Sequence, residues 1–254
     1  MNRFVASILT LSKYMLLLWL PYSSNLYAET VKTQPISLQQ GQVISIAIPQ
    51  LQQGDAAKAA LDEYFKTAFP LARSFGMDTE AQFKVAQTIL GRYQANSAIL
   101  FSWPNTAAEQ KLTTHPDWPA IKALRPTAWQ ELDIFTAPLT EDFNVTLRSD
   151  KFYTLAVAWF SPEHPTGYDN YMASIKDKVA EVGGTFLLKL RAPAFETLGA
   201  NKTRPGQVTL VEWDSRESLS KLLKSQVYKD NQHYRVNGTS DFSFYAIEPS
   251  LKSS

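Results

Sequence analysis

Two kinds of apolar spacing alternate along this chain, and they do so in the same order twice. Val43-Ile-Ser-Ile-Ala-Ile48 is an apolar run of strand length that Pro49 is expected to stop, since its ring removes a ladder donor. Gly54-Asp55 offers a helix start. Leu61, Tyr64, Phe65, Ala68, Ala72 and Phe75 then follow at i, i+3, i+4, i+7, i+11 and i+14, one continuous face at helical period. Pro70 lies inside that face and is expected to kink or interrupt the helix, and Gly76 to end it. Residues 83–90 and 98–103 read as a second and a third strand. A second helical stretch opens at Thr106, breaks at His115-Pro116 and resumes near Asp117. Residues 130–136, with Leu132, Ile134 and Thr136 alternating, close the series as a fourth strand.

The series then repeats. Residues 152–160 form a strand rich in aromatic and β-branched side chains, and Tyr168, Tyr171, Met172, Ile175, Val179 and Val182 make a helix face. That face has the internal spacing of the first one, 107 positions later. Gly183-Gly184 turns the chain into a strand at 185–191, and 192–205 reads as a loop. A strand at 208–213, a short helix at 215–225 and a strand at 241–247 follow. Trp213, Lys221 and Tyr228 stand 110 positions after Trp103, Lys111 and Trp118. One unit used twice explains both offsets, with a net three-residue length difference near the second strand.

Strand-helix-strand-strand-helix-strand is the ferredoxin-like split βαβ order, an α+β class. Its antiparallel sheet carries helices on one face and leaves the other bare. Strands that are apolar at nearly every position require cover on both faces. The expected architecture is therefore two ferredoxin-like βαββαβ units whose sheets pack face to face as an intrachain α+β barrel, a pseudo-dimer within one chain. The molecule is then a monomer, or a homodimer of such chains. The divisions expected are a signal peptide over 1–28, a polar leader over 29–40, a first unit over 41–137, an acidic linker over 138–150 and a second unit over 151–249.

The N-terminus changes the picture of address. Arg3 and Lys13 give a positive start, Met15-Leu-Leu-Leu-Trp-Leu20 a short apolar core, and the stretch to Ala28 a polar exit. The apolar run is too short to span about 30 Å of hydrocarbon, so cleavage after Ala28 and export to a periplasm are expected, with no membrane attachment of the mature chain. Composition excludes more than it suggests. A formal net charge of +1 among 254 residues gives no field for nucleic acid or anionic lipid. The absence of cysteine excludes disulfides, thiolate metal sites and a thiol nucleophile.

Candidate chemistry is sparse. His115, His164 and His233 form none of the paired spacings that hold a metal, so no metal site and no cofactor is expected. His164 or His233 would have to supply the axial ligand of a haem, but both sit beside turns or helix ends, where a histidine is ordinarily solvated. No G-x-S-x-G or phosphate-cradling glycine loop occurs either. The second unit, however, carries a recognisable set. Tyr168-Asp-Asn-Tyr171, the turn Val182-Gly-Gly184, Phe186-Leu-Leu-Lys-Leu-Arg191, Phe195-Glu196, Glu212-Trp213-Asp-Ser-Arg-Glu217 and Ser225-Gln-Val-Tyr228 together resemble the domain-of-unknown-function 1330 family. The resemblance covers about residues 152–249, and the first unit matches only in pattern.

That resemblance implies the dimeric α+β barrel fold and, less specifically, a place among cofactor-free monooxygenases, haem enzymes and small-molecule binders. On the family's pattern, Arg191 is the strand-end arginine, Glu196 the loop glutamate and Tyr228 the tyrosine after the second helix. With Tyr171 and Trp213 beside them they form a candidate pocket for a small apolar or aromatic ligand. The competing reading is a surface ion pair over a packed core. Two further functional expectations stand beside ligand binding: a cofactor-free monooxygenase-like enzyme, and an interaction module with no ligand.

Overall fold

The computed structural model describes residues 30–200 and 203–251; the expected signal peptide lies outside the described residues. A short strand β1 (Thr33–Leu38) precedes the first half, which runs β2 (Val43–Leu51), α1 (Asp55–Ser74), β3 (Asp78–Leu90), β4 (Ser97–Trp103), α2 (Thr106–Thr113), α3 (Trp118–Lys122), α4 (Arg125–Ala128) and β5 (Trp129–Pro138). After β6 (Phe143–Arg148) comes the second half: β7 (Phe152–Phe160), α5 (Gly167–Glu181), β8 (Gly184–Arg191), β9 (Ala194–Thr197), β10 (Gln207–Trp213), α6 (Arg216–Lys224), α7 (Gln226–Gly238) and β11 (Thr239–Pro249).

Within each half the four main strands lie in the order second, third, first, fourth, which is the ferredoxin-like arrangement. The two antiparallel sheets are not merely stacked. They join along an edge, where Phe244 to Pro249 of β11 pairs with Leu90 to Phe83 of β3. The whole forms one nine-stranded sheet, β8-β10-β7-β11-β3-β4-β2-β5-β9. Its two ends belong to neighbouring segments, because only Ala192 and Pro193 separate β8 from β9. Ala192 takes φ 39°, a left-handed turn uncommon for a residue with a Cβ. Arg204 donates to the carbonyls of both Ala192 and Pro193, which holds the corner. The sheet thus rolls up, and one apolar core fills it.

Alternation decides which side chains enter that core. Ile44, Ile46 and Ile48 of β2, Tyr153, Leu155, Val157 and Trp159 of β7, and Tyr245 and Ile247 of β11 all point inward. The intervening positions of the central strands β2 and β7 face the helices, so both faces of these strands are covered. Each fully buried side chain of this size contributes roughly 1.5–3 kcal/mol. The interior also holds one carboxylate: Asp133 is 3% exposed, and burial pushes its carboxyl up although Thr197, Arg92 and Tyr93 act in the other direction.

Several stretches depart from the sequence expectation. The polar leader and the acidic linker are largely strand: β1 and β6 pair with each other from Thr33↔Arg148 to Leu38↔Phe143. Ile36, Leu38, Phe143 and Leu147 of this ribbon join the barrel core. Pro49 does not end β2, which runs on to Leu51. Beyond Ala47 the strand has β5 alone as its strand partner, so the missing N–H falls on an edge. Nor does Pro70 interrupt α1, which is continuous from Asp55 to Ser74 with Ala68 and Ala72 buried on either side of it. Finally, the expected loop at 192–205 contains β9, and α7 extends the second helical region. Helix α7 buries little except Gly238. It crosses α5 so closely that a Cβ on Gly167 would lie 2.5 Å from the Gly238 Cα.

Candidate ligand cavity

The two halves present their long helices to their sheets with the same spacing but different volumes. Helix α5 inserts Tyr171, Ile175 and Val179 against its sheet. The residues 107 positions earlier on α1 are Tyr64, Ala68 and Ala72. Two alanines stand where the second half has an isoleucine and a valine, which reduces side-chain volume beneath the helix. A cavity of about 370 Å³ lies between α1 to α4 and the outer face of β2 to β5.

Aromatic side chains wall this space. Tyr64 meets Trp129 edge-to-face with ring centroids 4.8 Å apart, and Phe65 meets Phe69 in the same way at 5.1 Å. Phe101, Trp103 and Trp118 complete the wall. Such rings give a flat apolar molecule large contact area at little conformational cost.

One end of the cavity is polar, and its centre is Arg125, the first residue of α4. Pro126 follows it, at a helix position where a missing N–H leaves no bond unmade. The guanidinium is 4% exposed as part of its residue. Its Nε and Nη2 donate to the Tyr64 hydroxyl at 3.1 and 2.8 Å, and Nη1 donates to Glu196 Oε1 at 2.8 Å. The plane also rests over the rings of Trp118 and Tyr64, 5.1 and 5.4 Å from their centroids. Lys122 Nζ reaches the same Glu196 oxygen at 2.5 Å. Burial would raise the Glu196 carboxyl, but Arg125 and Lys122 outweigh it and hold it below the usual glutamate range. Burial pushes the Tyr64 hydroxyl up, with Arg125 working against it. Glu109, which also lines the cavity, is raised by burial first and by Glu196 second.

The residues singled out from sequence are dispersed. Glu196 is the one at this cavity, carried there by β9, where it stands opposite Ile134 of β5. Arg191 stays with the second half. Its fork holds Asp169 at 2.6 and 3.1 Å and Gln207 at 2.9 Å, over the Phe160 ring. Tyr171 and Trp213 are packed in the second helix layer, and Tyr228 meets Tyr171 edge-to-face at 6.4 Å. His164 and His233 are exposed. Among the described residues no three of His, Cys, Asp and Glu gather as metal ligands.

Arg125, Tyr64 and Lys122 were not singled out from sequence, although two of them share a residue type with a position at the offsets noted there. Arg125 is followed 110 positions later by Arg235, and Tyr64 107 positions later by Tyr171. Arg235 is the pared-down counterpart, half-buried over the Phe242 ring.

Comparison with known proteins bears on the fold. Residues 153–248 match the family described as Domain of unknown function (DUF1330). The match lies in the second half and includes Glu196, but none of the helices around the cavity. An anthrone oxidase-like protein of known structure aligns over 87% of this chain and 97% of its own, at 10% identity and a TM-score of 0.50. A chlorite dismutase from Candidatus Nitrospira defluvii aligns over 83% and 92%, at 7% identity and a TM-score of 0.44. A dimeric protein of unknown function and ferredoxin-like fold from Bacteroides fragilis covers 40% of this chain and 100% of its own, at 13% identity and a TM-score of 0.30. The chain thus has an α+β barrel fold of ferredoxin-like halves. No curated protein matches it in sequence.

Proposed function

We propose that this protein takes a small, flat, largely apolar molecule into the cavity of its first half. The observation that carries the reading is a space of about 370 Å³, walled by aromatic rings and ending on a buried arginine. Its volume falls in the range of small-molecule pockets, about 300–1,000 Å³. Ring burial supplies the driving force, and Arg125 with Tyr64 fixes the orientation of a ligand oxygen. Trp103, Trp118 and Trp129 line the cavity, so titration with 2-naphthol should quench tryptophan fluorescence saturably. Partly filling the space with Ala68→Ile should weaken that signal. Undiminished binding to the filled variant would remove the cavity from the reading.

Glu109 favours a second reading, cofactor-free oxidation. A half-buried carboxylate with a raised pKa is suited to take a proton from an activated carbon or phenol. The resulting electron-rich anion would react with dioxygen directly, as an anthrone does in giving a quinone and water, and the fold neighbour at 0.50 is an anthrone oxidase-like protein. Oxygen uptake with anthrone, lost in Glu109→Gln, is the expected result. An unchanged rate in that variant would leave binding alone.

Export through residues 1–28 belongs to the same proposal. No helix among the described residues is long and apolar enough to cross a membrane. Intact mass of the exported protein should start at Glu29 or within a few residues of it, and an uncleaved Met1 start on a membrane-bound chain would contradict it.

A further inference from the structure

From the polar end of the cavity we infer that Glu196 stands in for an acidic group of the ligand, so that the preferred occupants are aromatic molecules bearing a carboxylate. The inference rests on the cavity reading and narrows it to a chemical class.

A guanidinium as buried as that of Arg125 needs a counter-charge, because an unpaired buried cation is strongly disfavoured. Neither the helix that carries it nor any other element of the first half supplies the carboxylate it binds. Glu196 does, from β9 of the second half. β9 is the terminal strand of the sheet, held by register from Asp133↔Thr197 to Thr136↔Ala194 along one side. The Glu196 side chain is 37% exposed, whereas that of Arg125 is 5% exposed. The anion is therefore at the mouth and the cation inside. One Glu196 oxygen serves both Arg125 and Lys122, so two cations share a single carboxylate.

An aromatic carboxylate satisfies every part of this arrangement. Its ring takes the cavity that Tyr64, Trp118 and Trp129 line. Its carboxylate meets the planar fork that suits it geometrically, and Glu196 withdraws to water. A neutral ring gains the first contact without the second, and leaves Glu196 where it is.

The experiment compares 2-naphthoate with its uncharged isostere 2-naphthamide on the full-length mature protein by calorimetry. Wild type should bind the naphthoate more tightly. Glu196→Gln removes the resident anion and should tighten the naphthoate by roughly tenfold, or about 1.4 kcal/mol, with the naphthamide within about twofold. Arg125→Met should erase the preference. If that variant does not fold, Lys122→Met, a change at a half-exposed side chain, should reduce naphthoate affinity and spare the naphthamide. Equal affinity for the two compounds in wild type and Glu196→Gln would overturn the inference and leave the cavity as a neutral aromatic site. Absence of binding by both compounds would overturn the inference and the cavity reading together.

Discussion

The two halves of this barrel share their strand order, their helix spacing and even their anchoring bonds, yet one is filled and the other is hollow. In the first, Trp103 Nε1 donates to Ser45 Oγ at 3.2 Å; in the second, Trp213 Nε1 donates to Thr154 Oγ1 at 2.9 Å. Both turn out of their long helix on a glycine at φ 86°, Gly76 and Gly183. What differs is side-chain volume beneath the helix, Ala68 and Ala72 against Ile175 and Val179. The difference teaches that a scaffold of this kind makes room by subtraction. Smaller side chains at two helix positions contribute to a space that the aromatic residues of the half enclose.

The comparison breaks most completely if the halves are independent. Expressing residues 152–254 alone bares the inner face of its sheet and strips β11 of its β3 partner, so the fragment should dimerise or aggregate. Light scattering on a gel-filtration column decides this, and a soluble monomer would contradict the shared core.

Exchanging volumes between the halves sharpens it next. Ile175→Ala should cost about 2–5 kcal/mol in urea unfolding, because it opens a void in a packed layer. Ala68→Ile places its added carbons in existing space and should change stability by less than about 1 kcal/mol, although overpacking a filled core costs about 1–3 kcal/mol. Comparable losses in the two variants would mean that the cavity collapses rather than accepts the side chain.

The anchoring tryptophans should behave alike. Trp103→Phe and Trp213→Phe each remove one buried hydrogen bond and should lose about 1 kcal/mol beyond the packing change. A loss confined to one half would show that the two bonds are not equivalent.

The smallest effect concerns Asp133, which sits where the halves meet. Its carboxyl is raised in the folded state, so the folded chain keeps this proton to higher pH than the unfolded chain does. Stability from this group is then full below the ordinary aspartate value and falls as pH rises towards the folded one. Asp133→Asn should be as stable as wild type or more so at about pH 7, with the gap shrinking towards about pH 3. A gap that widens on acidification would reverse the sign of this effect.

Much of the architecture was legible because periodicity reports burial directly. The strand at Phe152–Phe160 and the faces of both long helices follow from spacing alone. What escaped has a common physical character. β1 and β6 are short strands whose outward residues are polar and which lie in polar surroundings, and β9 is only four residues long. Helix α7 packs through a glycine contact instead of an apolar stripe, and leaves no periodic trace. The site escaped for a different reason. Attention to charged and aromatic residues led to Arg191, whereas the cavity is announced by what is small: Ala68 and Ala72, where the second half has Ile175 and Val179.

Because Ala194–Thr197 is encoded in the second half but seals the first, the halves cannot drift apart freely. Selection on Glu196 would register in a domain that, viewed alone, shows no reason for it: the residue's partners, Arg125 and Lys122, lie outside the segment that matches a known family. A recombination that exchanged the second half for a related domain would keep the fold and could silently delete the anion at the cavity mouth. The ion pairs at the cavity mouth thus belong to the junction, not to either half.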